Sequence, residues 1–225
     1  MKRVCIKVKV VIFDMDGVIT NTMPEHFLAW KKVLSEEGVA ISKQEIYLRE
    51  GQPGNITVRE LFQEEGLSLS ESKARDILFR KEKLFKKIVK CRFVPGSRGF
   101  LRFLKRNGFV LGLVTGTAGH EVERILPKDL LKFFSVVVTG CQVKKGKPDP
   151  EPYLKALEKL KISPSEAVVI ENAPFGILSA KRARLKCLAL ETSLPKSYLK
   201  KADLISHGYG DLRRRVVFEL SNTSK

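Results

Sequence analysis

The chain has 225 residues, enough for one sizeable core or for a core with a small accessory unit. Hydrophobic residues make up 43% and charged residues 30%, which excludes a disordered or fibrous chain. No apolar stretch is long enough to cross a bilayer, and the formal net charge is +17, from 42 Lys+Arg against 25 Asp+Glu.

In chain order, residues 4–13 are β-branched and apolar and end at Asp14, the pattern of a buried strand. Residues 24–90 show helical periodicity and little strand character. Candidate helices span 24–37, 42–49, 57–65 and 70–89, with breaks at Gly38, Gly51-Gln52-Pro53-Gly54 and Gly66. This predicts a helical insertion, with hinges near residues 18–22 and 93–96. A helix over 98–106 stops at Asn107-Gly108, a C-cap signal. Strands follow over 109–114, 135–139, 167–170 and 186–190, with a fifth at 202–205. Helices over 152–160 and 175–184 lie among them. Strands alternating with helices predict a mostly parallel sheet covered on both faces. The polar tail from Ser221 is expected to fray.

The positive charge first suggests nucleic acid as a partner. The basic residues are spread along the chain, however, often beside Glu at helical spacing, as in Arg80-Lys81-Glu82-Lys83. Only Arg213-Arg214-Arg215 is a tight run. Without a nucleic-acid motif, the expectation is a basic surface whose field draws in small anions. The N-terminal segment lacks a signal-peptide core, which points to the cytoplasm. Cys5, Cys91, Cys141 and Cys187 form no C-x-x-C pair, so reduced thiols are expected.

Four motifs carry chemistry. Asp14-Met15-Asp16-Gly17 follows the first strand. Its two carboxylates suit a hard cation, with one as nucleophile and the other as general acid/base; an Asp-Gly turn is the bland alternative. In Leu113-Val114-Thr115-Gly116-Thr117, hydroxyls and N–H groups suit a phosphate oxygen, or Thr is a helix N-cap. Lys147, within Gly146-Lys147-Pro148-Asp149-Pro150, is either a charge in a set position or a solvated lysine. Glu171-Asn172-Ala173-Pro174 offers a carboxylate and an amide oxygen to the same cation, or N-caps the next helix.

In this order and at strand ends, the four motifs resemble those of the haloacid dehalogenase superfamily, in the subgroup of beta-phosphoglucomutase and phosphoglycolate-phosphatase-like enzymes. The resemblance covers nearly the whole chain. It implies a Rossmann-like α/β core, residues 1–17 and 93–225, with a helical cap domain over 18–92. It also implies hydrolysis of a small phosphorylated metabolite, a phosphate monoester, by a monomer. Asp14 would attack phosphorus and become an aspartyl phosphate, and Asp16 would move the protons. Mg²⁺ would be held by Asp14, the backbone carbonyl of Asp16, and Glu171-Asn172. Thr115, Gly116, Thr117 and Lys147 would face the phosphoryl group, and His26 and Lys81 of the cap would face the substrate.

The chain departs from the family pattern in two places. Asn172 stands where an acid usually follows Glu171, which leaves the metal site short of one charge. No Arg lies within Gly51-Gln52-Pro53-Gly54, where mutase-like relatives hold a second phosphate, although Arg49 and Arg59 flank it. A sugar phosphomutase is therefore the alternative activity, and a basic polyanion-binding protein with little catalysis the alternative class.

Overall fold

The computed structural model describes residues 3–221. Strands β1 (Val4–Val8) and β2 (Val10–Phe13) come first. Helices α1 (Met23–Ser35), α2 (Lys43–Leu48), α3 (Gly54–Glu64) and α4 (Glu71–Ile88) follow. Next are α5 (Ser97–Arg106), β3 (Val110–Val114), α6 (Gly119–Ile125), α7 (Lys128–Leu131), β4 (Phe134–Val138) and α8 (Glu151–Leu160). The chain continues through β5 (Ala167–Glu171), α9 (Pro174–Arg182), β6 (Lys186–Leu190), β7 (Leu204–Ser206), α10 (Tyr209–Arg215) and β8 (Val216–Leu220).

Six strands form one parallel sheet in the order β4-β3-β2-β5-β6-β7. Alternation within the central strands sorts the core into two layers. Val11, Phe13, Val168 and Ile170 join Phe100, Leu104 and Tyr209 on one face. Val10, Ile12 and Val169 join Tyr153, Leu157 and Ile177 on the other. This is the doubly covered α/β sheet that the sequence predicts, and apolar residues on both faces of β2 and β5 are its cause.

The predicted single strand over 4–13 is two strands. The chain bends at Lys9, whose N–H donates to the Glu166 carbonyl while its own carbonyl accepts from Val110 N–H. β1 thereby leaves the main sheet and pairs in parallel with β8, a strand absent from the sequence prediction, with Val4 opposite Val216. Ser221, expected to fray, donates its N–H to the Val8 carbonyl at 3.2 Å. The rest of that tail, residues 222–225, lies outside the described residues. Helix α3 begins at Gly54, three residues before the predicted start at 57, because Pro53 and Gly54 open the helix instead of breaking it.

Helices α1 to α4 have a hydrophobic cluster of their own, including Trp30, Leu34, Val58, Leu61 and Ile77. Two of their starts are capped by serine. Ser42 and Glu45 form a capping box at α2, and Ser70 accepts from Lys73 N–H at α4. The segments entering and leaving this helical insertion are tied together. Thr20 bridges Phe93 in antiparallel fashion, and Asn21 N–H donates to the Arg92 carbonyl. No helix among the described residues is long and apolar enough to cross a membrane.

Candidate active site

The chain reverses its travel across the sheet at β2, with β3 and β4 to one side and β5, β6 and β7 to the other. Loops leaving the carboxyl ends of strands diverge at such a point and open a crevice. Two motif residues extend the ladder one step beyond their strands. Asp14 N–H donates to the Ile170 carbonyl, and Thr115 N–H to the Val138 carbonyl, each at 3.0 Å. The backbone under both side chains is thus as fixed as the sheet.

Lys147, in the loop before α8, is 2% exposed. Its ammonium bonds Asp14 Oδ1 at 2.6 Å, Glu171 Oε1 at 2.7 Å and the Val114 carbonyl at 3.3 Å. Those three contacts use all three donors of the group. Burial works to strip its proton, but Asp14 and Glu171 outweigh that effect and hold the lysine above its ordinary value. The solvated-lysine alternative is excluded.

Glu171 is equally occupied. Oε1 also accepts from Tyr153 Oη at 3.1 Å, while Oε2 accepts from Asn172 N–H at 2.8 Å and Ala173 N–H at 3.1 Å. With four donors on its two oxygens, Glu171 faces the protein and not an incoming cation. In this arrangement the residue expected as a direct metal ligand anchors Lys147. The carboxylate lies against the start of α9, where a Cβ on Gly176 would sit 1.6 Å from Oε1.

Asp16 is surrounded by donors. Thr22 Oγ1 donates to Oδ1, and His26 Nε2 lies 3.4 Å from the same oxygen. Thr117 and Thr115 hydroxyls donate to Oδ2 at 2.8 and 3.4 Å. Burial opposes ionisation, yet His26 and the threonine hydroxyls prevail and hold Asp16 down at about 2. The residue expected to carry a proton is thus a carboxylate in this arrangement. Burial instead dominates at Asp14 and pushes it above the ordinary carboxylate range, against the pull of Lys147.

A cavity of about 380 Å³ lies between the strand ends and the insertion. Asp14, Asp16 and Thr115 line it from below; His26, Glu50 and Lys81 line it from above. Gly116 and Thr117 also reach it, whereas Glu171 and Asn172 lie outside its walls. Lys81 is 8% exposed, 3.1 Å from His26 Nδ1 and within 5.4 Å of the Trp30 ring centroid. Burial, then Lys81, lowers the His26 value. Those two partners assign the tautomer: Nδ1 accepts from Lys81, and Nε2–H points at Asp16. His26 and Trp30 line the cavity, and Thr22, one turn earlier, bonds Asp16. Loop residue Gly51, at φ +80°, packs against the core, and a Cβ there would lie 2.8 Å from Lys147 Cδ.

The residues present can be tested against a hard cation. Among the described residues, Asp14 Oδ2, Asn172 Oδ1 and Glu50 Oε1 are buried without a hydrogen-bond partner, as is Glu121 Oε1 elsewhere on the cavity wall. Buried polar atoms without partners are few in folded proteins, and three oxygens in one site fit an oxygen-binding cation. Among the described residues, no three His, Cys, Asp or Glu side chains form a metal cluster by themselves, so the set depends on the Asn172 amide. Sequence reasoning missed Glu50 and Tyr153. The acid directly before Gly51 was a signal for Glu50, given that Asn172 brings no charge; Tyr153 carried none.

Comparison with known proteins agrees with this geometry. The family profile described as haloacid dehalogenase-like hydrolase matches residues 11–190. A Thermotoga maritima protein named phosphorylated carbohydrates phosphatase is 37% identical over 183 residues, 78% of this chain and 82% of its own. The validoxylamine A 7'-phosphate phosphatase of Streptomyces hygroscopicus is 30% identical, over 91% of this chain and 96% of its own. A solved structure from Bacteroides vulgatus, a candidate beta-phosphoglucomutase, superposes with a TM-score of 0.82 at 34% identity, over 93% of this chain and 88% of its own. With a profile that spans most of its length, three motifs at the ends of β2, β3 and β5, and the fourth in the loop before α8, the chain belongs to the haloacid dehalogenase-like hydrolase family.

Proposed function

We propose that the protein is a Mg²⁺-dependent phosphatase that hydrolyses a small phosphate monoester through an aspartyl phosphate on Asp14. The observation that carries this reading is Asp14 at the floor of the cavity, with Oδ2 unpartnered and Lys147 on Oδ1. A carboxylate has about four lone-pair sites, and Lys147 takes one. Enough remain to meet both phosphorus and a cation.

Asp14 forms the new P–O bond as the bond to the leaving oxygen breaks. Asp16 gives that oxygen a proton, then takes one from the water that cleaves the acyl phosphate. In the resting arrangement Thr115 and Thr117 spend their hydroxyls on Asp16. An incoming phosphoryl group competes for those donors. Losing them beside new negative charge raises the proton affinity of Asp16 and readies it as the acid. Lys147 neutralises Asp14 and Glu171 without leaving either. Asp14, Asn172 and the Asp16 carbonyl would hold Mg²⁺, which when bound supplies positive charge for the phosphoryl oxygens. Helices α1 to α4 act as the cap, over residues 18–92, and bring His26 and Lys81 to the substrate.

Water as the acceptor is supported by the fate of the two flanking arginines. Arg49 bonds Glu64 and lies 3.4 Å from Glu60, and Arg59 pairs with Glu71. Both are spent within the cap, so neither is free to grip the second phosphate of a bisphosphate. The test is phosphate release from a panel of phosphorylated sugars, pyrophosphate and p-nitrophenyl phosphate. Asp14→Asn and EDTA are each expected to abolish release, with Mg²⁺ restoring the EDTA-treated enzyme. Activity that survives either treatment refutes the mechanism. Rapid conversion of beta-glucose 1-phosphate to glucose 6-phosphate, primed by the 1,6-bisphosphate and with little free phosphate, refutes hydrolysis.

A further inference from the structure

Glu50 is a carboxylate in an unfavourable place. It is 8% exposed, near the start of the loop that follows α2, and it lines the cavity. Its one hydrogen bond among the described residues comes from Asn172 Nδ2, to Oε2 at 2.9 Å. Asp14 and Glu171 are the acids that act on it most strongly. The nearby cations are committed elsewhere: Lys147 to Asp14 and Glu171, and Arg49 to the glutamates of α3. Burying one more carboxylate beside two others is costly unless a positive charge joins them.

Asn172 shows where that charge belongs. Its amide nitrogen donates to Glu50 Oε2 and to Ser193 Oγ, at 2.9 and 2.8 Å. Those two acceptors fix the orientation of the amide, so that Oδ1 is the end turned away from them. Asn172 Oδ1, Glu50 Oε1 and Asp14 Oδ2 are all buried and all unpartnered. One carboxylate and one amide make a weak set for a hard divalent cation; a second carboxylate makes a competent one. An acid at 172 would lie 2.9 Å from the Glu50 carboxylate, so the amide and Glu50 suit each other. The charge missing from the loop after β5 is supplied across the cavity.

We propose that Glu50 is a metal ligand contributed by the helical insertion, and that with Asp14 and Asn172 it binds one hard divalent cation shared between the two parts of the chain. The proposal rests on the reading of Asp14 as part of a magnesium centre, and it adds a consequence. A ligand that reaches the metal only when the insertion is docked makes docking and metal binding reciprocal: each strengthens the other by the same factor.

Glu50→Gln keeps an acceptor for Asn172 and removes the charge. Mn²⁺ titrated into the purified protein and followed by electron paramagnetic resonance reads affinity without turnover; isothermal titration with Mg²⁺ repeats it. Glu50→Gln is expected to raise the Kd at least about tenfold. Glu50→Leu, which also removes the acceptor, is expected to do the same. Adding Asn172→Asp to Glu50→Gln returns a carboxylate to the site and recovers most of the loss. Wild-type affinity in Glu50→Gln or Glu50→Leu overturns the proposal, as does a double variant no tighter than Glu50→Gln. Failure of the magnesium-phosphatase reading is seen separately, as wild-type activity that persists in EDTA.

Discussion

Lys147→Met isolates what the buried lysine does. The substitution keeps most of the volume and removes a charge that two buried carboxylates share at 2.6 and 2.7 Å. Removing one partner of a buried ion pair costs about 3–5 kcal/mol, because the remaining charge is left uncompensated. For a chain of this size, each kcal/mol corresponds to about 2–4 °C, so Tm should fall by about 6–20 °C. The loss is a large part of the total stability of about 5–15 kcal/mol typical of a folded domain. Thermal unfolding by circular dichroism in EDTA is the assay, so that no metal replaces the missing charge. The effect should also depend on pH. Burial already holds Asp14 above its ordinary value, and Lys147 opposes burial. Without the lysine, the folded carboxyl binds its proton still more tightly than the unfolded one. The folded state then holds more protons, so stability falls as pH rises between the unfolded and folded values. Destabilisation should therefore be greater at pH 8 than at pH 5. A Tm within about 2 °C of wild type at pH 8 would refute the account, and so would a loss that shrinks as pH rises.

Tyr153→Phe deletes a buried donor to Glu171 and should cost about 1.5–3 kcal/mol in a urea titration; no change would mean that Lys147 alone satisfies the acid. Gly176→Ala forces Glu171 from its place, because a Cβ cannot lie 1.6 Å from Oε1. It should lower both Tm and phosphatase turnover, and wild-type values for both would show that α9 yields instead. Arg49→Met breaks an ion pair inside the insertion and should leave turnover on p-nitrophenyl phosphate unchanged; a large rise in KM would place Arg49 on the substrate.

The parts legible in the sequence are those with local causes. β2, β3 and β5 are runs of β-branched and aliphatic residues buried on both faces, and the motif residues directly follow β2, β3 and β5, so their convergence followed from the parallel sheet alone. Less legible were features set at long range. The bend at Lys9 depends on partners at 110 and 166. β8 exists because β1, once turned out of the main sheet, needs an edge partner, and the basic run Arg213-Arg214-Arg215 just before it reads only as charge. Glu50 acquires its meaning from Asn172, 122 residues away. The spacing of Asp14 and Asp16 announced a pair of carboxylates. Which of them burial governs and which a shell of hydroxyls governs depended on Thr22, Thr115 and Thr117 arriving from three directions.

The pairing of β1 with β8 has a mechanical consequence. The two strands are parallel, with Val4 opposite Val216 and Val8 opposite Leu220. Tension applied to the flanking segments pulls β1 backward along its own axis and β8 forward along the same axis. The ladder between them is loaded in shear, so its hydrogen bonds carry the force together instead of parting one at a time. Under such a load the rate of forced unfolding depends on this clamp as well as on the central sheet.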